Sequence, residues 1–394
     1  MAEMLSVEEA IAVILNGAAP IGAEDVFLSS LNGRIAAEDI RAKITQPPFN
    51  ASAMDGYAVR FADVAHCAQL NVIGESPAGA PFAGKVSKGE AVRIFTGGAV
   101  PSGADHVVIQ EDVTRKDDVI VIMETQDSPR NIRPAGVDFK QGDVLAKKGE
   151  RLHEIHGAIF AAANIARVPV MRHPKVAIFS NGDELKEPGE ALKPGEIVNS
   201  NHYALTAMVE RWGGEAVYLG CAPDDEDAIR EFFRKGAAAD VIVPVGGASV
   251  GDYDYVKSAF AKEGGEPRFS KVAVRPGKPT WCGTLGKARI IGLPGNPASA
   301  IVTAALFLQP LVRRLAGEVW SAPFAKAKTA KPIEKNGGRE SYLRAVVQDG
   351  VASPADNQDS SLLAPFARAN ALIRRAAHAP AVEAGAEIEI VWLR

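Results

Sequence analysis

Glycines and carboxylates follow a short apolar segment near the middle of the chain. The segment 241–245 (Val-Ile-Val-Pro-Val) is rich in β-branched residues, a pattern typical of a strand buried on both faces. It continues as Gly246-Gly247-Ala248-Ser249-Val250-Gly251-Asp252-Tyr253-Asp254. Glycines let a backbone approach a ligand closely, and successive N–H groups can then converge on an anion. Carboxylates beside such a turn favour a hard cation that bridges protein and phosphate.

This turn could also be a structural connection that binds nothing. Its spacing differs from the G-x-G-x-x-G fingerprint and from the P-loop with its Gly-Lys-Ser/Thr ending, so neither dinucleotide binding nor Walker-type nucleotide binding is indicated. In an open α/β sheet, ligands bind outside the carboxyl ends of the strands, and this turn would lie there.

Three further stretches carry candidate acids or hydroxyls. Asp55 lies in the tight turn Ser-Ala-Met-Asp-Gly-Tyr, and Thr96 stands beside two glycines. Asp183 and Glu184 follow the segment 176–179, which reads as the first strand of an α/β unit. Each stretch alone has a structural interpretation, because Asp-Gly turns and acidic helix caps are common.

Three cations surround a proline-glycine turn. Lys271, Arg275 and Lys278 lie within Lys-Val-Ala-Val-Arg-Pro-Gly-Lys-Pro, which cannot form a helix. The chain has a formal net charge of −4, so a local concentration of cations is informative. This pattern suits a polyanion such as phosphate or another oxyanion.

Composition places the chain among ordinary globular proteins. Its 394 residues predict roughly two to four domains. The negative net charge argues against nucleic-acid or membrane-surface partners. Cys67, Cys221 and Cys282 are too far apart for a C-x-x-C pair, which argues against a disulfide framework and a structural zinc site. No signal-peptide pattern is visible and the apolar run 298–308 is too short to span a bilayer, so we expect a cytoplasmic protein.

The pattern of elements changes along the chain. Ser6-Val7-Glu8-Glu9 is a capping box that predicts a first helix. Short β-type runs occur between about residues 46 and 138, and a helix is predicted at 154–163, where His153 and His156 are expected on the surface. From Lys175 strands and helices alternate, which predicts a parallel sheet, and Asn296-Pro297 begins a long helix through Leu315. Beyond about residue 321 strand-like runs return.

Seven motifs occur in one order over most of the chain: Ser-Ala-Met-Asp-Gly-Tyr-Ala, Thr-Gly, Arg-x-x-Gly-x-Asp, Gly-Asp-Glu-Leu, Gly-Gly-x-Ser-Val-Gly, Arg-Pro-Gly-Lys-Pro and Gly-Leu-Pro-Gly-Asn-Pro. This combination closely resembles the molybdopterin molybdenumtransferase (MoeA) family, to which the E domain of gephyrin also belongs. The resemblance runs from about Ser6 to Leu315. It is weaker beyond, where Gly338 to Arg344 is similar to the family's C-terminal Gly-Arg…Arg segment.

The resemblance implies a multidomain α/β and β fold. We expect an elongated N-terminal α+β domain from two segments (1–45 and 139–173) with a β-rich insert domain (46–138). A MogA-like, molybdopterin-binding α/β domain with a parallel-rich sheet would cover 174–320, and a small C-terminal β-barrel domain 321–394. The resemblance also implies a homodimer with its active site at the subunit interface. Asp55, Thr96 and Asp138 of one subunit would there approach the Gly246–Asp254 loop of the other.

The implied reaction inserts molybdate into adenylylated molybdopterin, which yields molybdenum cofactor and AMP. Mg²⁺ or another divalent cation is the expected cofactor, and the molybdopterin adenylyltransferase and apo-molybdoenzymes are possible partners. The resemblance implies catalytic roles for Asp55, Thr96, Asp138, Glu184, Lys271 and Arg275; substrate binding by Gly246, Gly247, Ser249, Gly251, Lys278, Pro294 and Asn296; and metal binding by Glu184, Asp224, Asp252 and Asp254.

Two alternatives belong to other functional classes. A molybdopterin adenylyltransferase would resemble only the segment 175–317 and would not need the motifs around Asp55 and Thr96. A non-catalytic molybdopterin-binding scaffold, like the gephyrin E domain, would not need the acids and lysines that this chain retains. The sequence leaves open the identity of the metal, a preference for molybdate or tungstate, and the enzyme that receives the product.

Overall fold

The computed structural model describes residues 4–247, 255–319 and 324–394. The α-helices α1 to α7 are Val7–Leu15, Glu154–Ala162, Asn201–Arg211, Glu226–Gly236, Tyr255–Lys262, Pro297–Thr303 and Gln309–Leu315. The strands β1 to β26 are Ala23–Phe27, Ile40–Arg41, Ala51–Ser52, Gly56–Val59, Gln69–Ser76, Glu90–Ile94, His106–Ile109, Val113–Lys116, Val119–Ile122, Ile132–Arg133, Val144–Ala146, Arg167–Met171, Lys175–Asn181, Leu185–Lys186, Ile197–Val198, Glu215–Ala222, Val241–Val245, Glu266–Phe269, Val274–Arg275, Trp281–Leu285, Ala288–Gly292, Phe324–Thr329, Glu340–Gln348, Val351–Pro354, Ala371–Arg375 and Glu387–Trp392.

The described residues form two compact units. The first, called here the α/β-barrel unit, takes its residues from 1–24, 33–37 and 170–394. The second, called the β-rich unit, takes them from 25–32 and 38–169.

A six-stranded sheet dominates the β-rich unit. Its strand order is β7-β4-β6-β5-β9-β8, and only the β5–β6 pair is parallel. The β-type runs predicted from the sequence between residues 46 and 138 are confirmed as strands of this sheet. The same unit contains α2, where one prediction was wrong. His156 was expected on the surface but is buried. Its ring accepts the N–H of His153 and lies 3.3 Å from the carboxylate of Glu150, so the buried ring has polar partners.

The α/β-barrel unit contains the predicted sheet, in the order β16-β13-β17-β21-β20-β18. The first four strands are parallel to their neighbours, whereas β20 and β18 are antiparallel additions at one edge. The central strand β17 is buried on both faces, as its sequence predicts. Val241, Val243 and Val245 pack on the side of α1, α3 and α7, while Ile242 packs on the side of α4 and α5.

One long buried helix crosses the α/β sheet. It begins with α6 at Pro297 and ends with α7 at Leu315, and the residues between them, Ala304–Leu308, form a π-helical segment. Its length and apolar composition would suffice to cross a membrane, but 89% of it is buried inside the protein, as in a core helix.

The C-terminal strands close into a small barrel. The ladder β23-β24-β22-β26-β25 returns to β23 through a β23–β25 pairing, so each of the five strands has two neighbours. The short strand β19 lies outside this ring and pairs in parallel with β23, with Arg275 opposite Ser341. The segment that carries the predicted cations is therefore joined to the barrel by backbone hydrogen bonds.

Candidate active site

The glycine turn after β17 begins where the sequence predicts, at the carboxyl edge of the sheet. Gly246 has φ +109° and Gly247 has φ +61°, a region that favours glycine. A Cβ on Gly246 would lie 2.9 Å from the backbone and side-chain oxygens of Asn181, and one on Gly247 would lie 2.4 Å from Val256. These glycines are therefore required by close packing as well as by backbone conformation. Ser249, Gly251, Asp252 and Asp254 lie outside the described residues.

A pocket of about 640 Å³ opens at this edge and is called here the sheet-edge pocket. Three parallel strands lead into it: β13 through Asn181, β17 through Gly246, and β21 through the segment 294–297 that follows it. Its lining includes seven of the predicted site residues: Glu184, Gly246, Gly247, Lys271, Lys278, Pro294 and Asn296. The positions predicted from scattered motifs therefore converge on one cavity.

Arg275 lies in an adjoining pocket of about 510 Å³, called here the barrel-side pocket. Lys278, Pro279, Pro294 and Asn296 line both pockets, so they form the boundary between them. The barrel adds three arginines that were not predicted as site residues: Arg339 and Arg344, both in the segment similar to the family's Gly-Arg…Arg segment, and Arg375. Six cationic side chains and two carboxylates, Glu334 and Asp359, line the barrel-side pocket, so its charge balance is positive and suits an oxyanion.

Two predicted metal ligands, Glu184 and Asp224, lie near the end of β13. The amide of Asn181 donates to Asp224 Oδ1 at 3.1 Å, and the Asp224 N–H donates to Asp183 Oδ1 at 3.1 Å. The carboxylate of Glu184 folds against Gly182, where a Cβ would lie 2.5 Å from one of its oxygens. Within the described ranges no three His, Cys, Asp or Glu side chains form a metal-binding group.

Three buried asparagines of the sheet-edge pocket were not predicted as site residues. Among the described residues no donor reaches Asn181 Oδ1, although Asn181 is only 6% exposed. Asn201 donates to the carbonyl of Gly295 at 2.7 Å, and its Oδ1 also has no partner within the described ranges. Asn199 donates to Tyr218 at 2.7 Å. An unpartnered buried amide oxygen is costly, so a donor that reached either oxygen would be bound favourably. Asn181 Oδ1 lies against the backbone of Gly246 and Gly247. The sequence signal was the segment Asn199-Ser200-Asn201.

A turn from the barrel, residues 357–362, completes the wall between the two pockets. Ser361 lines the sheet-edge pocket and Ser360 lines the barrel-side pocket. The Ser360 carbonyl accepts the N–H of Ala298 at 3.0 Å, and its hydroxyl lies 3.2 Å from the amide of Asn296. The turn is thereby fixed to the first turn of α6.

The buried guanidinium of Arg344 holds this turn from behind. It donates to the carbonyls of Asp359 and Leu362 at 3.0 and 2.9 Å, to the carbonyl of Asn357 at 3.3 Å, and to the side chain of Gln358 at 3.1 Å. Arg344 is only 2% exposed. One side chain therefore donates hydrogen bonds to four oxygens of the turn.

The β-rich unit brings Asp55 and Thr96 together. Both the N–H and the hydroxyl of Thr96 donate to Asp55 Oδ1, at 2.7 and 2.8 Å. These two hydrogen bonds lower the pKa of the Asp55 carboxyl, so it is ionised at neutral pH, and the residue is partly exposed. Asp138 follows β10 in the same unit with an exposed side chain, and its N–H donates to the carbonyl of Gln46 at 3.2 Å.

Family comparisons cover most of the chain. Residues 5–164 match the MoeA N-terminal region (domain I and II), residues 177–314 match a probable molybdopterin binding domain, and residues 326–393 match the MoeA C-terminal region (domain IV). The sheet-edge pocket lies almost entirely in the second match. The chain is thus a multidomain protein with a molybdopterin-binding type of α/β domain.

Individual relatives agree along nearly the whole length. A molybdopterin molybdenumtransferase of Haemophilus influenzae is 37% identical, with 90% of each chain covered. One from Nostoc sp. is 38% identical, covering 81% of this chain and 76% of the relative. Two solved structures of molybdopterin biosynthesis MoeA proteins from Pyrococcus horikoshii share the fold, with TM-scores of 0.88 and 0.82 and identities of 33% and 30%. They cover 100% and 99% of this chain and 100% of their own. The chain belongs to the MoeA family.

Proposed function

We propose that this protein is a molybdenumtransferase of molybdenum cofactor biosynthesis. It takes molybdate and adenylylated molybdopterin, places molybdenum on the dithiolene sulfurs and releases AMP. The sheet-edge pocket carries this proposal, because a glycine turn, two lysines and a glutamate converge there within the segment matched to a molybdopterin-binding domain.

Cleavage of the substrate's pyrophosphate requires stabilisation of negative charge. Water supplies the oxygen of the new P–O bond, the bond to the bridging oxygen breaks, and negative charge develops on the leaving phosphate. Lys271 and Lys278 line the pocket in which this charge would develop, so their positive charge would stabilise it. Arg275, in the barrel-side pocket, would hold molybdate or phosphate. The turn from Gly246 to Ser249, with Gly251, would bind the terminal phosphate of the pterin.

The donor set at the end of β13 fits a hard cation. Carboxylates are ligands that Mg²⁺ prefers, and Glu184 and Asp224 both lie near this end of the strand. We propose that Mg²⁺ or another divalent cation is held by members of the set Glu184, Asp224, Asp252 and Asp254. When bound, it would neutralise charge on the pyrophosphate.

The β-rich unit would contribute Asp55, Thr96 and Asp138 to the active site of a homodimer. In this proposal Asp55 orients the attacking water or the cation, and Thr96 keeps its carboxylate ionised and fixed in direction. The family resemblance, with its interface active site, supports this arrangement.

The remaining proposals concern organisation and surroundings. We propose four domains with boundaries at 1–45 plus 139–173, 46–138, 174–320 and 321–394. We propose a cytoplasmic enzyme that takes its substrate from a molybdopterin adenylyltransferase and passes its product to apo-molybdoenzymes.

The test is AMP release by purified protein given adenylylated molybdopterin and Mg²⁺, with and without molybdate. We expect molybdate-dependent release together with molybdenum cofactor, and its loss in Asp55→Ala. Asp127→Ala removes an exposed carboxylate of the same unit and serves as the matched control. Tight binding of the substrate without turnover would refute the enzymatic proposal and favour a scaffold. Full activity of Asp55→Ala would refute the role given to that carboxylate.

A further inference from the structure

A second cavity lies at the opposite edge of the same sheet and is called here the amino-edge cavity. It measures about 350 Å³ and is close to the beginning of β21, whereas the sheet-edge pocket follows the end of that strand. It is lined by residues of α1, β18, β20, β21 and α7: Val13, Ile14, Asn16, Arg268, Cys282, Gly283, Thr284, Arg289 and Leu311. A water molecule in the liquid occupies about 30 Å³, so the cavity has room for roughly ten groups of that size.

Two arginines from different strands line this cavity. Arg289 is fixed in place, because its two terminal nitrogens donate to the carbonyls of Ile14 and Asn16 at 2.9 and 3.0 Å at the end of α1. Each terminal nitrogen keeps one further N–H. Arg268 is more exposed and belongs to the irregular part of β18, where the register with β20 shifts.

The cavity has a surplus of positive charge. Among the described residues that line it there is no carboxylate. The guanidinium of Arg268 lies 3.9 Å from the carboxylate of Glu266, which is not part of the lining and whose side chain is 75% exposed. Burial lowers the pKa of Arg289, and repulsion from Arg268 lowers it further. Burial also raises the pKa of the Cys282 thiol to about 12, so that group is neutral.

We propose that the amino-edge cavity binds a small ligand with an oxyanion head group, a phosphate or a carboxylate. Arg289 is the preorganised donor, Arg268 is the adaptable one, and the Thr284 hydroxyl is a third donor within the same lining. Val13, Ile14 and Leu311 provide an apolar wall for the rest of the ligand. This site shares no lining residue with the sheet-edge or barrel-side pockets, so it does not depend on the proposed reaction.

The test compares thermal unfolding of the full-length protein in inorganic phosphate and in malonate, each against sodium chloride at the same ionic strength. Because both anions can also bind at the other pockets, the measured quantity is the difference between variants. Arg268→Gln removes one guanidinium from the cavity. Lys287→Gln, in the exposed turn between β20 and β21, removes the same charge nearby and is the control. Thr284→Val removes a donor without changing charge.

We expect wild type and Lys287→Gln to show the same anion-dependent rise in Tm, and Arg268→Gln and Thr284→Val to show a smaller one. A larger response to phosphate or to malonate identifies the head group. Crystals soaked in selenate should show anomalous density within hydrogen-bond distance of Arg289. The proposal is overturned if Arg268→Gln responds to both anions as Lys287→Gln does, or if the cavity holds no selenate.

Discussion

Substitution of Arg344 would test how the barrel shapes the candidate active site. Its guanidinium makes hydrogen bonds to three carbonyls of the 357–362 turn, while the Arg344 backbone holds the turn separately through the side chain of Gln358. Hydrogen bonds that involve a charged group contribute roughly 1.5–3 kcal/mol each. In Arg344→Met water can enter and recover part of this loss, so we expect local opening of the turn to become easier by about 3 kcal/mol, less than the sum.

The assay is native-state hydrogen exchange of peptides covering the turn and the start of α6. A loss of about 3 kcal/mol corresponds to exchange about 10²-fold faster, since 1.36 kcal/mol is a factor of ten. The Ala298 N–H should respond as well, because it donates to Ser360. Arg344→Lys keeps the charge but cannot span several carbonyls, so its effect should be smaller than that of Arg344→Met but still present.

Arg368→Met is the matched control, since Arg368 is exposed and follows closely in the same chain segment. We expect its exchange to resemble wild type. The reasoning would be refuted if Arg344→Met accelerated exchange in the turn by less than tenfold, or if Arg368→Met accelerated it equally. A consequence for activity follows, because Ser360 and Ser361 line the two pockets: Arg344→Met should raise the KM for molybdate or for the pterin substrate.

Two further predictions concern other parts of the chain. Gly246→Ala should abolish AMP release and destabilise the protein by about 1–3 kcal/mol, because its φ of +109° is strained for alanine and its Cβ would meet a neighbouring backbone oxygen at 2.9 Å. Gly286→Ala, at a glycine with φ +57° whose added Cβ would lie in open space, should lower the free energy of unfolding by less and keep activity. An equal loss of unfolding free energy for the two variants, measured in urea, would contradict this prediction. Burial lowers the pKa of His106 below its ordinary value of 6.5, so folding favours the neutral ring. This preference for the neutral ring contributes fully to the free energy of unfolding above pH 6.5. As the pH falls from there toward the folded-state pKa, the contribution is lost at no more than about 1.4 kcal/mol per pH unit. His106→Asn should therefore show a shallower decline between pH 7.5 and 5.5 than wild type, whereas His66→Gln, at an exposed ring, should not.

Local sequence patterns predicted the elements whose signals are contained in one segment. The capping box at Ser6 has both of its hydrogen bonds, and β17 has the bounds that its β-branched run indicates. The antiparallel strands β18 and β20 were missed, because Pro267 and Gly283 weaken their patterns and their pairing depends on neighbours in the sheet.

The residues of the candidate site likewise include some that local motifs predicted and others that depend on the folded structure. Glycine turns and clustered cations are visible as motifs, so Gly246, Lys271 and Lys278 could be assigned to one ligand before their positions were known. The sequence could not predict how the barrel supports the candidate site. Arg344 binds the 357–362 turn through backbone carbonyls, and because every residue type has a backbone carbonyl, this interaction leaves no pattern in the sequence. Asn181 and Asn201 were missed because an unpartnered amide oxygen is a property of the folded environment.

The π-helical segment Ala304–Leu308 keeps the two ends of its helix in phase. A π turn holds about one residue more than an α-helical turn, so the extra residue is absorbed in the wider turn and α7 keeps the direction it would have in a continuous α-helix. Ala300 and Val302 before the segment and Leu311 and Leu315 after it therefore face one core. Deleting one residue within the segment would let the helix close into regular α geometry with these contacts kept. Deleting one residue inside α7 would instead rotate all following helical residues by about 100° and turn Leu315 out of the core.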